Sequence, residues 1–152
     1  MIGKDDTFML IHSIMKKMWK IADRELAPLE ILHTEMRILM ALYFFYADGC
    51  SQEELVSQLD IDRSNVGRAL KKLERLHYIE RSKNEKDRRA YRVFLTEHGR
   101  AIQGQVMAIR ETMKRTFTLE MTDQELDMFT SLLQKADHSL SAKNFRALKN
   151  QN

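Results

Sequence analysis

A mostly α-helical domain of about six helices with one small β-hairpin is the fold this sequence predicts. Three observations lead there. Apolar residues recur at spacings of three and four through most of the chain, which is the helical period. The pattern changes to that of short strands only between residues 79 and 95. One proline and five glycines among 152 residues are too few for a turn-rich sandwich, and an apolar share of 43% excludes a disordered chain. The length suits a single domain, residues 1–152, with a real hydrophobic core.

Each element follows from local pattern. From Thr7 to Leu26, Phe8, Ile11, Ile14, Met15, Met18, Ile21, Ala22 and Leu26 form one stripe of a long helix that closes near Pro28. Thr34 is the expected N-cap of a second, nearly all-apolar helix that stops at Ala47-Asp48-Gly49. Ser51-Gln52-Glu53-Glu54 matches a capping box and opens a short helix through Leu59. Asp62 caps the next helix, whose apolar face is Val66, Ala69, Leu70, Leu73 and Leu76. Ile79–Ser82 and Tyr91–Leu95 read as strands joined by a charge-dense tip. Thr96 caps a long fifth helix with Ile102, Val106, Ile109, Met113 and Phe117 as its stripe, and the box Thr122-Asp123-Gln124-Glu125 starts a sixth.

Composition excludes several classes of function. The single cysteine, Cys50, forms no internal disulfide, so a reducing compartment is expected. Met1–Phe8 carries Lys4, Asp5 and Asp6 in place of a basic stretch and an apolar core, so no signal peptide is expected. The longest apolar run, Ile38–Ala47, spans ten positions, about half of a membrane-crossing helix. A soluble cytoplasmic protein without membrane contact follows. Five scattered histidines and the absence of a glycine-rich phosphate loop, a nucleophile elbow or an H-E-x-x-H motif point to no metal, no cofactor and no catalysis.

The net charge of +3 conceals an asymmetry. Residues 61–100 hold twelve basic and six acidic side chains, a balance of +6, while the rest of the chain carries −3. A basic block in an otherwise slightly acidic protein suits a polyanion, because neutralising phosphates releases counterions. A solvated lysine-rich face kept for solubility gives the same charge count. The order of short helix, tight turn, amphipathic helix and basic hairpin narrows the choice, since an α-helix fits the major groove with its N-terminal residues at the base edges. The outward N-terminal positions are Arg63, Ser64, Asn65 and Arg68, and arginine and asparagine have the donors and acceptors to read guanine and adenine. Lys71, Lys72 and Arg75 lie farther along, where phosphate contact is expected. In the hairpin, Lys83, Lys86, Arg88 and Arg89 surround the tip, where an arginine can enter a narrow minor groove. Asp87, two residues before Arg89, is expected to hold that guanidinium in place as a scaffold.

The segment Asp87-Arg88-Arg89-Ala90-Tyr91-Arg92-Val93-Phe94-Leu95-Thr96-Glu97-His98-Gly99 resembles the wing signature D-x-R-A-x-x-V-x-L-T-x-x-G of the MarR family of bacterial transcription regulators. Ser64-Asn65-Val66-Gly67-Arg68-Ala69-Leu70-Lys71-Lys72-Leu73-Glu74 is similar to that family's recognition helix. The specific motifs span about residues 51–99. The resemblance implies a winged helix-turn-helix lobe over about residues 34–98 and dimerisation helices over about 5–27 and 97–148. It further implies a homodimeric repressor on a pseudo-palindromic operator, located with the nucleoid, and released by a small aromatic or anionic effector. One departure is His77, where relatives usually have glycine because the chain turns with positive φ. Gly67 inside the recognition helix implies close approach, either to DNA or to the neighbouring helix.

Other residues fit more modest roles. Relatives that sense peroxide carry their thiol in the first helix, where this chain has none; Cys50 stands where a helix begins, which lowers a thiol pKa, but packing is its expected role. Ten methionines suit adaptable core filling; the alternative is a pliable ligand pocket near Trp19 and Tyr43, for which no ligand residue is marked. Phe8, Ile11, Leu140, Phe145 and Leu148 are too many apolar residues for the free ends of a monomer and are expected at a dimer interface. The alternative to a DNA regulator is a winged-helix interaction module that sequesters another regulator and has no sequence preference on duplexes.

Overall fold

The computed structural model describes residues 6–83 and 91–140. The chain divides into two compact units, Met1–Met113 and Lys114–Asn152. Within the first lie α1 (Thr7–Leu26), a 3-10 turn (Ala27–Leu29), α2 (His33–Phe44), β1 (Cys50–Ser51), α3 (Gln52–Leu59), α4 (Arg63–Arg75), β2 (Ile79–Lys83), β3 (Tyr91–Leu95) and α5 (Glu97–Ala101). The sixth helix, α6 (Gln103–Phe117), begins in the first unit, and α7 (Asp123–Ser139) belongs to the second.

Most predicted elements form where the pattern places them, and four details differ. The expected long fifth helix is two: Ile102, with ψ at −1°, opens the helical ladder between α5 and α6. Gly99 in α5 is pinned against the Tyr78 carbonyl, while α6 buries Val106 and Met113, and the bend at Ile102 serves both demands. Thr34 is not the N-cap of α2. That position is Leu32, whose amide donates to the Glu35 carboxylate at 2.7 Å, while the His33 amide donates to Asp23 at 2.7 Å; two carboxylates replace the missing hydroxyl cap. Helix α2 ends at Phe44, ahead of the expected turn. A two-residue strand, β1, was not legible, because two residues carry no period. It pairs antiparallel with β3, Cys50 opposite Val93 and Ser51 opposite Arg92, giving the sheet order β1-β3-β2.

The core lies among α2, α3, α4 and the root of the sheet. Ile38, Leu39, Leu42, Leu55, Val66, Leu70, Leu73, Ile79 and Val93 are buried there, each contributing about 1.5–3 kcal/mol on removal from water. The stripe Val66, Ala69, Leu70 and Leu73 is the inner face of α4, as the helical period requires, and this fixes which of its side chains face out.

Candidate nucleic-acid interface

Helix α4 begins at a built cap. The Asp62 carboxylate accepts from the Asn65 amide at 2.9 Å and from the Ser64 hydroxyl at 2.6 Å, and the Asn65 side-chain amide also donates to it. The Ser64 hydroxyl foremost, then the Asn65 amide, hold this carboxyl below the usual aspartate range. The Asn65 carbonyl oxygen in turn accepts from the Arg68 guanidinium. Three side chains with base-reading chemistry are thus locked to one another and to their helix cap.

Arg63, Ser64, Arg68, Lys71 and Arg75 are exposed, and Asn65 is half-buried. Arg63 pairs with Glu53 of α3 at 3.0 Å on the open surface. Lys72 departs from its neighbours: its ammonium lies 3.5 Å from Glu35 of α2, and its side chain is only 27% exposed. Gly67 explains itself through α3: a Cβ there would lie 3.3 Å from the Gln52 amide nitrogen, which donates to the Arg63 carbonyl at 3.2 Å. The neighbouring helix, one of the two partners expected for Gly67, is thus close to it.

The strands of the wing are held at their root. The Arg92 guanidinium donates to the Gly49 carbonyl at 2.6 Å. Arg81 of β2 lies 3.2 Å from Glu74 of α4, a charge contact without hydrogen-bond alignment, and two of its guanidinium nitrogens are buried. Arg81, Tyr91, Arg63, Gln52 and Ser51 line a concavity of about 340 Å³ between the start of α3, α4 and the sheet. Lys83 is exposed at the end of β2, opposite Tyr91. Lys86, Asp87, Arg88 and Arg89, expected at the wing tip, lie outside the described residues, as do Phe145 and Leu148.

The junction that aims α4 at the wing is tight. His77 adopts φ +58°, the left-handed turn expected at this departure from glycine. The Thr96 hydroxyl donates to the His77 carbonyl at 2.6 Å and accepts from the Gly99 amide at 3.0 Å. Tyr43 of α2 donates to the Gly99 carbonyl at 2.6 Å, so its hydroxyl is committed to the scaffold. Burial pushes the Tyr43 phenol up to about 12, with Tyr78 adding to the effect.

Cys50 is fully buried, and burial, with Glu54 adding to it, pushes its thiol up to about 12 against the opposing effect of Arg92. The lowered pKa that a helix start would give is overridden by desolvation, and the thiol is a packing group. No group of metal-binding side chains occurs among the described residues. Sequence reasoning missed the acidic partners Glu35, Glu53 and Glu74, because an ion pair between separate elements leaves no local period. It also missed Asp23 of α1, which accepts from the His33 ring at 2.9 Å while that ring stacks on Trp19 at 4.6 Å.

Two concavities flank this lobe's scaffold. One of about 720 Å³ is lined by Met36, Arg37, Met40, Phe44, Leu59 and Arg110, and a second of about 670 Å³ runs along α1 past Met15 and Trp19. Tyr43, expected beside such a pocket, lines neither.

A helix-turn-helix formed by α3 and α4, followed by a small antiparallel sheet, defines a winged helix-turn-helix protein. Residues 31–91 match the sequence model of the MarR family. A MarR transcriptional regulator from Methanosarcina mazei Go1 is 30% identical, with a TM-score of 0.78 over 90% of this chain and 98% of that one. A mutant MarR from E. coli complexed with operator DNA is 27% identical, with a TM-score of 0.75 over 84% of this chain and 91% of that one. The S. aureus MepR–DNA complex is 25% identical, with a TM-score of 0.82 over 88% of this chain and 98% of that one. The chain belongs to the MarR family of transcription regulators.

Proposed function

We propose that the protein is a sequence-specific DNA-binding repressor that grips a pseudo-palindromic operator as a homodimer and lets go when it binds a small effector. The observation that carries this reading is the locked array Asp62-Ser64-Asn65-Arg68 at the N-terminal turns of α4, with Ser64 and Arg68 outward and Asn65 half-buried beside them, flanked by exposed Arg63, Lys71 and Arg75. Guanidinium and amide groups already held in one geometry meet base edges without a large ordering cost. The two DNA-bound relatives support the same assignment. The lobe of about residues 34–98 would read DNA, with the wing cations Lys83, Lys86, Arg88 and Arg89 beside the minor groove and Asp87 holding Arg89. The helices on either side, about 5–27 and 97–148, would dimerise. Exposed Phe8 and Ile11 in α1, and separately Leu140 after α7, support dimerisation; Phe145 and Leu148 would extend it.

Effector response is supported by the 720 Å³ concavity, whose mostly apolar walls carry Arg37 and Arg110. Arg37 donates to the Leu59 carbonyl at 2.5 Å, so Arg110 is the charge that would meet an aromatic carboxylate. No helix among the described residues is long and apolar enough to cross a membrane, which is compatible with work on the nucleoid in the cytoplasm.

The test is selection of duplexes from a random pool, followed by anisotropy of the selected site against scrambled DNA across a salt series. Recovery of an inverted repeat bound at least about a thousandfold more tightly than scrambled DNA is expected. Arg68→Ala should weaken specific binding about tenfold to a hundredfold and relax base preference at one position of each half-site. Equal affinity for every duplex would defeat the reading. Benzoate-class anions should lower operator affinity, and indifference to all of them would remove the effector clause alone.

A further inference from the structure

The helical period separates Lys72 from the other cations of α4. Ser64, Arg68, Lys71 and Arg75 follow one another at spacings of four, three and four, which stacks them on a single outward stripe. Lys72 falls instead in register with Asn65, Ala69 and Leu76, of which Ala69 is buried and Leu76 half-buried. Its ammonium accordingly meets Glu35, the one charged residue counted as buried among the described residues, at 6% exposure. The Glu35 carboxylate also accepts from the Leu32 amide at 2.7 Å, so it closes the first turn of α2 and faces α4 at once.

We infer that Glu35 and Lys72 form a strut that sets how the recognition helix sits on α2, making Lys72 a positioning residue for base reading and not a phosphate contact. This rests on the DNA-binding reading above. Turning Lys72 toward a phosphate would leave a buried carboxylate without its counter-charge, a larger loss than one exposed ionic contact returns. Arg68 stands one turn before Lys72 on the same helix, so a small rotation of α4 about this anchor moves its guanidinium relative to a base edge. Removing the strut therefore damages selectivity and leaves the count of phosphate contacts alone.

The experiment is a double-mutant cycle on the full chain with Lys72→Met, which keeps the aliphatic stem, and Glu35→Gln, which keeps an acceptor for Leu32. Affinity for the selected operator and for scrambled duplex is measured across salt at a temperature where every variant is folded, and each variant is also melted. Lys72→Met should leave the salt slope on scrambled DNA unchanged and lower the operator-to-scrambled ratio about tenfold. Glu35→Gln, which changes no DNA-facing charge, should lower the ratio to a similar extent, and the double variant should be no worse than either single one. A salt slope reduced by about one in Lys72→Met, with Glu35→Gln retaining the full ratio, would make Lys72 a phosphate contact and overturn the strut. If the unaltered protein shows no sequence preference, the function proposed above fails, and the melting cycle still decides the pair: non-additive shifts in Tm support the strut and additive ones refute it.

Discussion

An alanine at position 99 would place its Cβ 2.0 Å from the Tyr78 carbonyl oxygen, a backbone atom that cannot swing aside. The same Tyr78 carbonyl accepts from the Thr96 amide at 3.1 Å, so moving it breaks the turn that joins β3 to α5. Gly99→Ala should destabilise the fold by at least about 3 kcal/mol in urea titration, the upper range for overpacking; an unchanged midpoint would disprove this contact. His77 presents the opposite case. Its φ of +58° costs a side chain about 1–2 kcal/mol, and glycine returns most of that while adding freedom to the unfolded chain. His77→Gly should therefore raise stability by about 0.5–1 kcal/mol in the same titration, and a loss would mean that the imidazole does work at this turn. Both positions were legible: the glycine of L-T-x-x-G and the departure at His77 follow from the resemblance to relatives. The reason for Gly99 was not, because close approach to a residue 21 positions earlier is a property of packing alone.

Capping chemistry is where sequence and structure agree most fully. Ser51 accepts from the Glu54 amide at 3.2 Å and its own amide donates to the Glu54 carboxylate at 2.7 Å, the reciprocal pair that S-x-x-E encodes. Ser51→Ala should cost about 1 kcal/mol by loss of that acceptor, read in thermal or urea melts. The Ser51 amide, with the hydroxyl second, holds the Glu54 carboxyl below its usual range. A carboxyl depressed in the native state contributes stability above its unfolded pKa and surrenders it as acid protonates it. Native α3 should loosen as pH falls through the region below about 4.5, and Glu54→Gln should flatten that slope; an identical acid profile in the variant would remove Glu54 from the cap. Cys50, beside this box, shifts the other way. Its thiol is raised to about 12, so stability is present at neutral pH and declines as alkali deprotonates the unfolded chain before the native one. Native protein at pH 8 should leave Cys50 unlabelled by a thiol reagent until denaturant is added. What stayed hidden in these elements is instructive. Thr34 looked like a cap because caps are sought locally, yet Asp23, ten residues before His33, supplies one of the acceptors. Ile102 continued the apolar stripe of a single helix, and nothing local announced the bend that its backbone makes.

Helix α7 buries none of its residues, although Met128, Leu132 and Leu133 are apolar and more than 45% exposed. A helix that packs Phe129 on Phe117 but leaves these three side chains in water is incomplete as a monomer, because most helical stability in proteins comes from burying the apolar face. The proposed homodimer supplies the missing surface, and it also links two recognition helices into one reader. In that arrangement the second half-site binds intramolecularly, at an effective concentration that raises affinity without a new contact. Leu132→Asp combined with Leu133→Asp separates these ideas, because neither side chain belongs to the core and the protomer should keep its helical signal. The unaltered protein should weigh twice 18.0 kDa by light scattering, and the double variant 18.0 kDa. Affinity for the full operator should fall by about two to four orders of magnitude, while affinity for an isolated half-site stays where it was. A variant that remains dimeric would place the interface elsewhere. A monomeric variant that still holds the full operator as tightly as before would show that one lobe is sufficient, and the two-fold operator would then owe nothing to α7.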